Sequence, residues 1–232
     1  MGRHREFDVE TALDAVMRVF WRKGYEGTSY ADLTAAAGVE RPALYAAFGN
    51  KEELFRRSLA RYYERYLDYV PEAMELPTSR KVAAHLLYKA ADLNTRYPDH
   101  TGCLGVSGVL AASDDAEPVR RALIEARAEG EALLRARFER AKAEGDLPQT
   151  AKANVLAAFV MAVLHGMAVQ AKAGFSRDML EAVAEQALST WPTGAPRSGK
   201  SIRAVGETLA ARHVVPRRAS RRARARSASG KA

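Results

Sequence analysis

Apolar residues recur along the chain at steps of three and four positions, the spacing that places them on one face of an α-helix. In the first such segment Asp8 can cap a helix at its start, and Gly24 can end it. The apolar face of this helix would consist of Leu13, Val16, Met17, Phe20 and Trp21. No sustained alternation of β-branched residues interrupts the pattern before Trp191, so the sequence predicts an all-α fold.

Two short helices follow the first. Thr28 or Ser29 can cap the second, which runs through Ala36 and is closed by Gly38. The third is predicted from about residue 41 to residue 47, with Pro42 in the first turn, where its missing N–H needs no partner. Two short helices joined at a glycine have the size of a helix-turn-helix, whose second helix can enter the major groove of DNA.

A long fourth helix is predicted after Gly49. Asn50 caps it, Glu53 completes a capping box, and the apolar and aromatic positions continue to Tyr69, before Pro71. Separators rich in Gly, Pro and Asp divide the rest of the chain. They leave predicted helices at about residues 80–96, 102–112, 116–144, 150–173 and 177–190.

The composition changes near residue 193. The formal net charge is +8, but residues 193–232 contain eleven Lys or Arg and one acid, so the first 192 residues carry −2. These last forty residues are rich in Arg, Ala and Ser, with too little apolar area to offset the entropy of ordering. We expect a helix-turn-helix domain at 1–50, a larger helical domain at 51–192 whose first helix connects the two, and a basic, disordered tail at 193–232.

The third predicted helix carries side chains suited to a DNA groove. Leu44 and Phe48, four positions apart, can pack inward, while Arg41, Ala43 and Tyr45 face outward. Residues 1–60 hold nine basic and nine acidic side chains, so gross charge does not favour DNA there. Affinity must therefore come from individually placed contacts, from dimerisation or from the basic tail.

Each outward residue has a matching group on DNA. Arg41 can bond guanine O6 and N7 or a phosphate, and Pro42 and Ala43 can contact thymine methyl groups. The hydroxyl of Tyr45 can bond a phosphate. Lys51, with the amides at the start of the fourth helix, can form a second phosphate clamp, because helix N-termini favour anions.

The stretch TSYADLTAAAGVERPALYAAFGNKEELF resembles the DNA-binding half of the TetR family of one-component transcriptional regulators. The residues in register with the family pattern are Thr28, Ala36, Ala37, Gly38, Val39, Leu44, Tyr45, Phe48, Lys51, Glu52 and Leu54. The resemblance implies phosphate contacts at Thr28, Tyr45 and Lys51, and base contacts at residues 41–43. At Ala47 many members carry a histidine, so this chain lacks that phosphate contact. The expected DNA-binding residues are Thr28, Ser29, Arg41, Pro42, Ala43, Tyr45 and Lys51.

The resemblance also implies a helical C-terminal domain that forms a homodimer and holds a pocket for a small-molecule effector. Two segments, NVLAAFVMAVLHGMAVQ and DMLEAVAEQALSTW, have apolar stripes suited to packing against a second copy. Aromatic, methionine and histidine side chains can line an adaptable pocket, although each also fits ordinary core packing. The pocket candidates are Tyr62, Tyr66, Tyr69, His85, Tyr88, Cys103, Leu104, Met161, His165 and Met167.

Cys103 is the single cysteine, next to Gly102 at a predicted helix start, where free backbone amides promote thiolate chemistry. Similar GCL segments occur in TetR-like members, including some that sense electrophiles. A cysteine-based electrophile or redox sensor is therefore one reading of this residue, and a small buried hydrophobe is the other.

No motif in the sequence indicates an enzyme. There is no Cys or His pair with zinc-ligand spacing, no phosphate-binding loop and no serine nucleophile elbow, and we predict no catalytic residues, metal or cofactor. The N-terminus lacks a signal-peptide core, a lone cysteine forms no internal disulfide, and no apolar run is long enough to span a membrane. These features predict a cytoplasmic protein without a membrane partner.

The sequence thus predicts a dimeric TetR-like regulator of transcription. It would repress by binding a palindromic operator in double-stranded DNA, and a small molecule would release it. One alternative is a sequence-tolerant architectural DNA binder driven by the Arg-rich tail, and the other is the regulator that senses through Cys103.

Overall fold

The computed structural model describes residues 8–109 and 113–194, and these ranges contain α-helices and two short 3-10 helices but no strand. The all-α prediction is confirmed. The predicted tail beyond residue 194 and residues 110–112 of the predicted helix 102–112 lie outside the described residues. The α-helices are α1 (Val9–Lys23), α2 (Tyr30–Ala37), α3 (Arg41–Phe48), α4 (Lys51–Tyr66), α5 (Tyr69–Met74), α6 (Ser79–Arg96), α7 (Leu104–Val109), α8 (Glu117–Ala143), α9 (Ala153–Lys172) and α10 (Arg177–Ser189), with 3-10 helices at Pro98–His100 and Asp114–Ala116.

Local capping signals set the ends of the first four helices. The Asp8 carboxylate accepts from two first-turn amides of α1. Ser29, rather than Thr28, caps α2 and forms a capping box with Asp32. Between α2 and α3 Gly38 has a φ of 68°, in the left-handed region that a side chain disfavours. The second capping box, predicted at the start of α4, is present.

Three predicted boundaries were wrong. Helix α4 ends at Tyr66, because the chain leaves helical geometry at Leu67, and the predicted continuation to Tyr69 belongs to α5. Pro71 lies inside the first turn of α5, where its nitrogen needs no intrahelical partner. Helix α7 starts at residue 104, after Gly102 with its φ of 79°. Helix α9 starts at residue 153, since residues 148–151 form a turn closed by a backbone bond from Ala151 to Pro148.

The described helices surround two apolar cores. In the first, α1 packs against α2 and α4, and Leu44 and Phe48 of α3 complete its interior. In the second, α6 packs against α9 and α10, and α8 packs along α9. Helix α4 carries residues of the first core and reaches α7 and α8, so it links the two cores. We call α1–α3 the head and the rest of the described chain the body.

The expectation that no apolar run could span a membrane was wrong by length and composition, because α9 is apolar and long enough to cross one although His165 and Gly166 lie within it. In the fold it packs against α6, α8 and α10. It also keeps an apolar stripe in solvent, with Val155 54%, Phe159 41% and Val169 47% exposed. Beside it, Met179 and Val183 of α10 are exposed as well. The two helices therefore share an apolar surface that no described residue covers.

Candidate nucleic-acid interface and internal cavity

Helix α3 presents the polar face that its spacing predicted. Leu44 and Phe48 are each 1% exposed and anchor the helix to α1 and α4. Arg41, Pro42 and Tyr45 are exposed, and residue 43 is half-buried. Two apolar side chains thus fix the buried side of α3, while its solvent side carries the Arg41 guanidinium and the Tyr45 hydroxyl.

A cluster of two tyrosines and Arg41 fixes this solvent side. The rings of Tyr30 and Tyr45 stack at 5.3 Å, and their hydroxyls are hydrogen-bonded at 2.6 Å. The Arg41 guanidinium lies 4.0 Å from the centre of the Tyr30 ring, a cation–π distance. The hydrogen bond to Tyr30 and then the bond to Arg41 lower the pKa of Tyr45. The bond between the two tyrosines uses only one of their two hydroxyl hydrogens. The other hydrogen is left to donate to a group outside the pair.

Tyr30 was missed by the sequence analysis. It occupies the first turn of α2, fifteen positions from Tyr45, and no local pattern joins the two. Its hydroxyl also accepts the backbone N–H of Lys51 at 3.1 Å, which ties the starts of α2 and α4 together. Some of the amides expected to clamp a phosphate at the start of α4 are therefore already bonded within the protein. The Lys51 amide donates to Tyr30, and the Glu53 amide donates to the Asn50 side chain.

The remaining predicted DNA-binding residues lie close to this cluster in sequence but differ in exposure. Ser29 is exposed, and its hydroxyl donates to Asp32 at 2.8 Å. The Lys51 ammonium lies 4.5 Å from the centre of the Tyr25 ring. Thr28 is 1% exposed, and its hydroxyl donates to the carbonyl of Gly24 at 2.6 Å. The Thr28 side chain thus closes the turn after α1 in this structure.

A cavity of about 360 Å³ lies in the body, bounded by α4, α5, α6, α7, α8 and α9. The predicted pocket residues that line it are Tyr62, Tyr69, Cys103, Met161 and His165. Lining residues that the sequence analysis missed include Tyr63, Met74, Leu86, Asn94, Arg127, Leu134, Leu164 and Ala168. Helical periodicity marks most of these only as core positions, so nothing in the sequence separated them from ordinary packing.

The other pocket candidates lie elsewhere. Tyr66 turns toward Trp21, with ring centres 5.0 Å apart. His85 and Tyr88 are on the far side of α6, in a shallow surface groove with Lys81 and Asp92. Leu104 is fully buried in the core that includes α1, and Met167 is 2% exposed and packs in the second core. The spacing placed these residues on helices but did not show which side faced the void.

Burial shapes the chemistry of the cavity tyrosines. It raises the pKa of Tyr63 to about 12 and the pKa values of Tyr62 and Tyr69 well above that of a free phenol, and the Cys103 thiol adds to each effect. All three phenols are therefore neutral donors at physiological pH. The Tyr62 hydroxyl is buried, and no described residue lies in hydrogen-bonding geometry to it, although the Cys103 thiol is near enough to raise its pKa.

Arg127 is the charged residue among the described residues of the cavity wall, and it contacts His165. Its guanidinium nitrogen Nη2 is hydrogen-bonded to His165 Nδ1. Burial and then Arg127 lower the pKa of His165 to about 4, so the imidazole is neutral at pH 7. Because a guanidinium only donates, Nδ1 accepts and the ring hydrogen lies on Nε2.

Trp21 joins the cavity wall to the head. This α1 residue is fully buried, and its ring meets that of Tyr62 edge-on at 4.7 Å. The Trp21 indole N–H donates to the carbonyl of Gly102 at 2.7 Å, just before α7. The ammonium of Lys172, at the end of α9, donates to the Trp21 carbonyl at 3.0 Å. Elements that bound the cavity therefore hold the end of α1 by three separate contacts.

Both halves of the chain match sequence models of known protein families. The sequence model described as bacterial regulatory proteins, tetR family, matches residues 12–57, and that of the tetracyclin repressor-like C-terminal domain matches residues 82–187. The HTH-type transcriptional repressor ComR of Escherichia coli (strain K12) is 35% identical over 194 residues, which cover 82% of this chain and 92% of ComR. The chain belongs to the TetR family.

Solved structures of TetR-family members agree with this assignment. A cysteine mutant of the regulator CifR, complexed with 26-bp double-strand operator DNA, is 42% identical with a TM-score of 0.78, and the match covers 82% of this chain and all of CifR. A putative TetR regulator from Rhodococcus sp. RHA1 is 40% identical with a TM-score of 0.55, covering 79% and 98% of the two chains. The reduced form of Escherichia coli NemR, 23% identical with a TM-score of 0.63, shares the fold.

As a TetR-family member, the chain is a DNA-binding regulator of transcription, as the sequence analysis predicted. The family is one of regulators rather than enzymes. The two alternatives, an architectural binder driven by the tail and a cysteine-based sensor, are not favoured. Among the described residues, no group of three or more His, Cys, Asp or Glu side chains is arranged to hold a metal ion.

Proposed function

We propose that this TetR-family regulator is a homodimeric, cytoplasmic repressor that leaves a palindromic operator when a small molecule occupies the cavity. One observation carries the proposal: Tyr62 lines the cavity and also packs edge-on against Trp21 of the head. A ligand that shifts this ring acts on α1 directly.

The proposed operator contacts centre on α3. Arg41, Pro42 and Ala43, in its first turn, face the base edges, where a bidentate arginine pair discriminates one base by about 1–3 kcal/mol. Tyr45 and Lys51 contact phosphates on either side, with Ser29 beside them. A phosphate contact at Thr28 stays a prediction. Its hydroxyl already donates to the Gly24 carbonyl, which favours a role in shaping the turn before α2.

The proposed dimer forms through α9 and α10. Both helices expose apolar side chains, as expected of a surface that is buried against a second copy. These side chains are Val155, Phe159, Val169, Met179 and Val183. A twofold axis there would present two copies of α3 to two half-sites. Half-sites about one helical turn apart, or a multiple of it, would follow from this symmetry.

The proposed release is a shift between two populations of the dimer. An effector weakens operator binding only as far as it prefers the arrangement of heads that does not fit the DNA. The contacts of Trp21 with Tyr62, Gly102 and Lys172 supply the connection, because Tyr62 and Lys172 belong to helices that bound the cavity and Gly102 directly precedes Cys103, which lines it. Movement of α4 or α7 around a ligand would rotate α1 and carry α3 with it.

The test starts with the full chain and fragmented DNA from the source organism at about 0.15 M salt, where non-specific binding is reduced. Sequencing of the retained fragments should return a shared palindrome with two half-sites. Arg41→Ala should weaken binding to that site at least tenfold and relax the preference at one base pair per half-site.

Arg135→Ala is the matched control, since Arg135 is exposed on α8, away from the head. It should leave binding to the selected palindrome unchanged. Retention without a shared sequence, or equal binding by the Arg41 and Arg135 variants, would contradict the proposal.

A further inference from the structure

The polar groups of the cavity are gathered on one part of its wall. Arg127 of α8 touches His165 of α9, and it lies close enough to Tyr63 of α4 to oppose the effect of burial on that phenol. Apolar side chains, among them Met74, Leu86 and Leu134, form the rest of the lining. The cavity therefore has a polar region and an apolar region.

The charge of the polar region is uncompensated. Among the described residues that line the cavity, none is Asp or Glu, and Arg127 has no carboxylate partner there. His165 is neutral and contributes a bond but no charge. A buried or half-buried guanidinium without an anion is unfavourable, and a ligand with a negative group relieves that cost.

The remaining polar groups can also serve an anion. Tyr62 and Tyr63 carry protonated hydroxyls, and that of Tyr62 is fully buried without a partner among the described residues. A phenol donates one hydrogen, and carboxylate oxygens are strong acceptors. The cavity thus offers donors and a cation but no described acidic side chain that would bind a cationic ligand.

We infer that the cavity takes an amphipathic organic anion, a carboxylate on an aromatic or branched aliphatic body, with the carboxylate on Arg127 and Tyr63. The apolar body lies against the side chains of α5, α6 and α8. This inference rests on the proposed function, in which the cavity is the effector site, and it names the class of effector.

Three probes of nearly equal shape test the charge preference: 2-naphthoate, the neutral 2-naphthamide and the cationic 2-naphthylmethylamine. Binding to the full chain is measured by calorimetry and by the shift in thermal unfolding. Naphthoate should bind about ten- to a hundredfold more tightly than the amide, as expected for a charge-assisted pair, and the amine should bind least.

Variants locate the preference. Arg127→Gln should remove the difference between naphthoate and naphthamide, and Arg127→Lys should keep part of it, since the cation remains without the forked geometry. Arg135→Gln makes the same charge change on the same helix at an exposed position outside the cavity, so it should behave as wild type. Equal binding of acid and amide, an acid preference that survives Arg127→Gln, or binding of none of the probes would overturn the inference.

A separate operator-binding assay distinguishes this inference from the proposed function. A chain that prefers naphthoate but binds no palindrome refutes the repressor proposal and leaves the ligand class intact. A chain that binds its palindrome but prefers the amide refutes the ligand class alone. Release of the palindrome by naphthoate, lost in Arg127→Gln, would support both.

Discussion

The head and the body are both helical, yet one interior is filled and the other contains a void. Where the head packs against α4, Phe20 and Phe55 meet edge-on at 5.1 Å, and Leu44 and Phe48 complete the packing. In the body, α4, α6, α8 and α9 border a cavity of about 360 Å³. A surface that reads DNA needs a fixed shape, which close packing supplies, whereas a site that responds to a ligand needs space.

The two regions also differ in how their polar groups are satisfied. The Tyr45 hydroxyl in the head is bonded to Tyr30, and the Asp32 carboxylate serves both Ser29 and Lys23. In the body, the Tyr62 hydroxyl is buried without a described partner, and Arg127 has only an imidazole. The unused donors of the head lie on its exposed surface, while those of the cavity are buried or half-buried and available to a ligand.

The largest expected difference between the two regions is in the stability lost when the same substitution, Leu→Ala, is made in each. Leu44 in the head and Leu134 in the cavity wall are 1% and 2% exposed. Leu44→Ala should lower the free energy of unfolding by about 3–5 kcal/mol, because it opens a hole in a filled core. Leu134→Ala should cost about 2 kcal/mol, since its side chain already borders empty space and loses fewer contacts.

Denaturant unfolding of the two variants measures this contrast. Equal losses would mean that the cavity is closed or filled in solution, and the comparison between the regions would fail. A loss at Leu134 larger than that at Leu44 would do the same.

A smaller effect is expected from pH through His165. Its pKa is about 4 in the fold and about 6.5 when unfolded, so between these values the unfolded state binds the extra proton. The free energy of unfolding should therefore fall as the pH drops from 6.5 to 4. Because the ring is partly exposed, we expect about 1–2 kcal/mol over this window, less than the full shift implies.

His165→Gln should flatten the stability profile in that pH range, because glutamine can still accept from Arg127 but does not titrate. Unfolding measured at half-unit intervals from pH 4 to 7 decides the point. Parallel profiles for the wild type and the variant would show that His165 does not titrate as its surroundings in the cavity indicate.

The smallest effect separates a satisfied hydroxyl from an unsatisfied one. Tyr62→Phe should raise the free energy of unfolding by about 1 kcal/mol, because a buried hydroxyl without a partner is costly. Tyr45→Phe, which removes a bonded hydroxyl, should lower it by about 0.5–1.5 kcal/mol. Thermal unfolding of both variants is the measurement, and destabilisation by Tyr62→Phe would indicate a partner such as bound water in the cavity.

Several features of the head and of the start of α4 were accessible from the sequence because they depend on neighbours within four positions. The Asp8 cap, the Asn50 capping box and the stop at Gly24 each follow from a short pattern. The inward face of α3 follows from the spacing of Leu44 and Phe48. Even here the bond between Tyr30 and Tyr45 escaped, since it joins two helices across a turn.

The residues of the cavity were harder to predict from the sequence. Two of the pocket candidates, Tyr62 and Cys103, border the cavity, but Tyr66, one turn from Tyr62, faces Trp21 instead. Arg127 was not singled out, because one arginine among many on α8 has no distinguishing pattern. Its neighbour His165 is thirty-eight positions away.

The sequence by itself determined the helices, most of their ends and the family, because caps, periodicity and the motif of the head are local and repeat at known spacings. The tertiary structure decided which core residues border a void, which cation meets which imidazole and how Trp21 connects the cavity to the head. These contacts join residues from separate helices, and the packing of those helices, rather than any local preference, sets the distances between them.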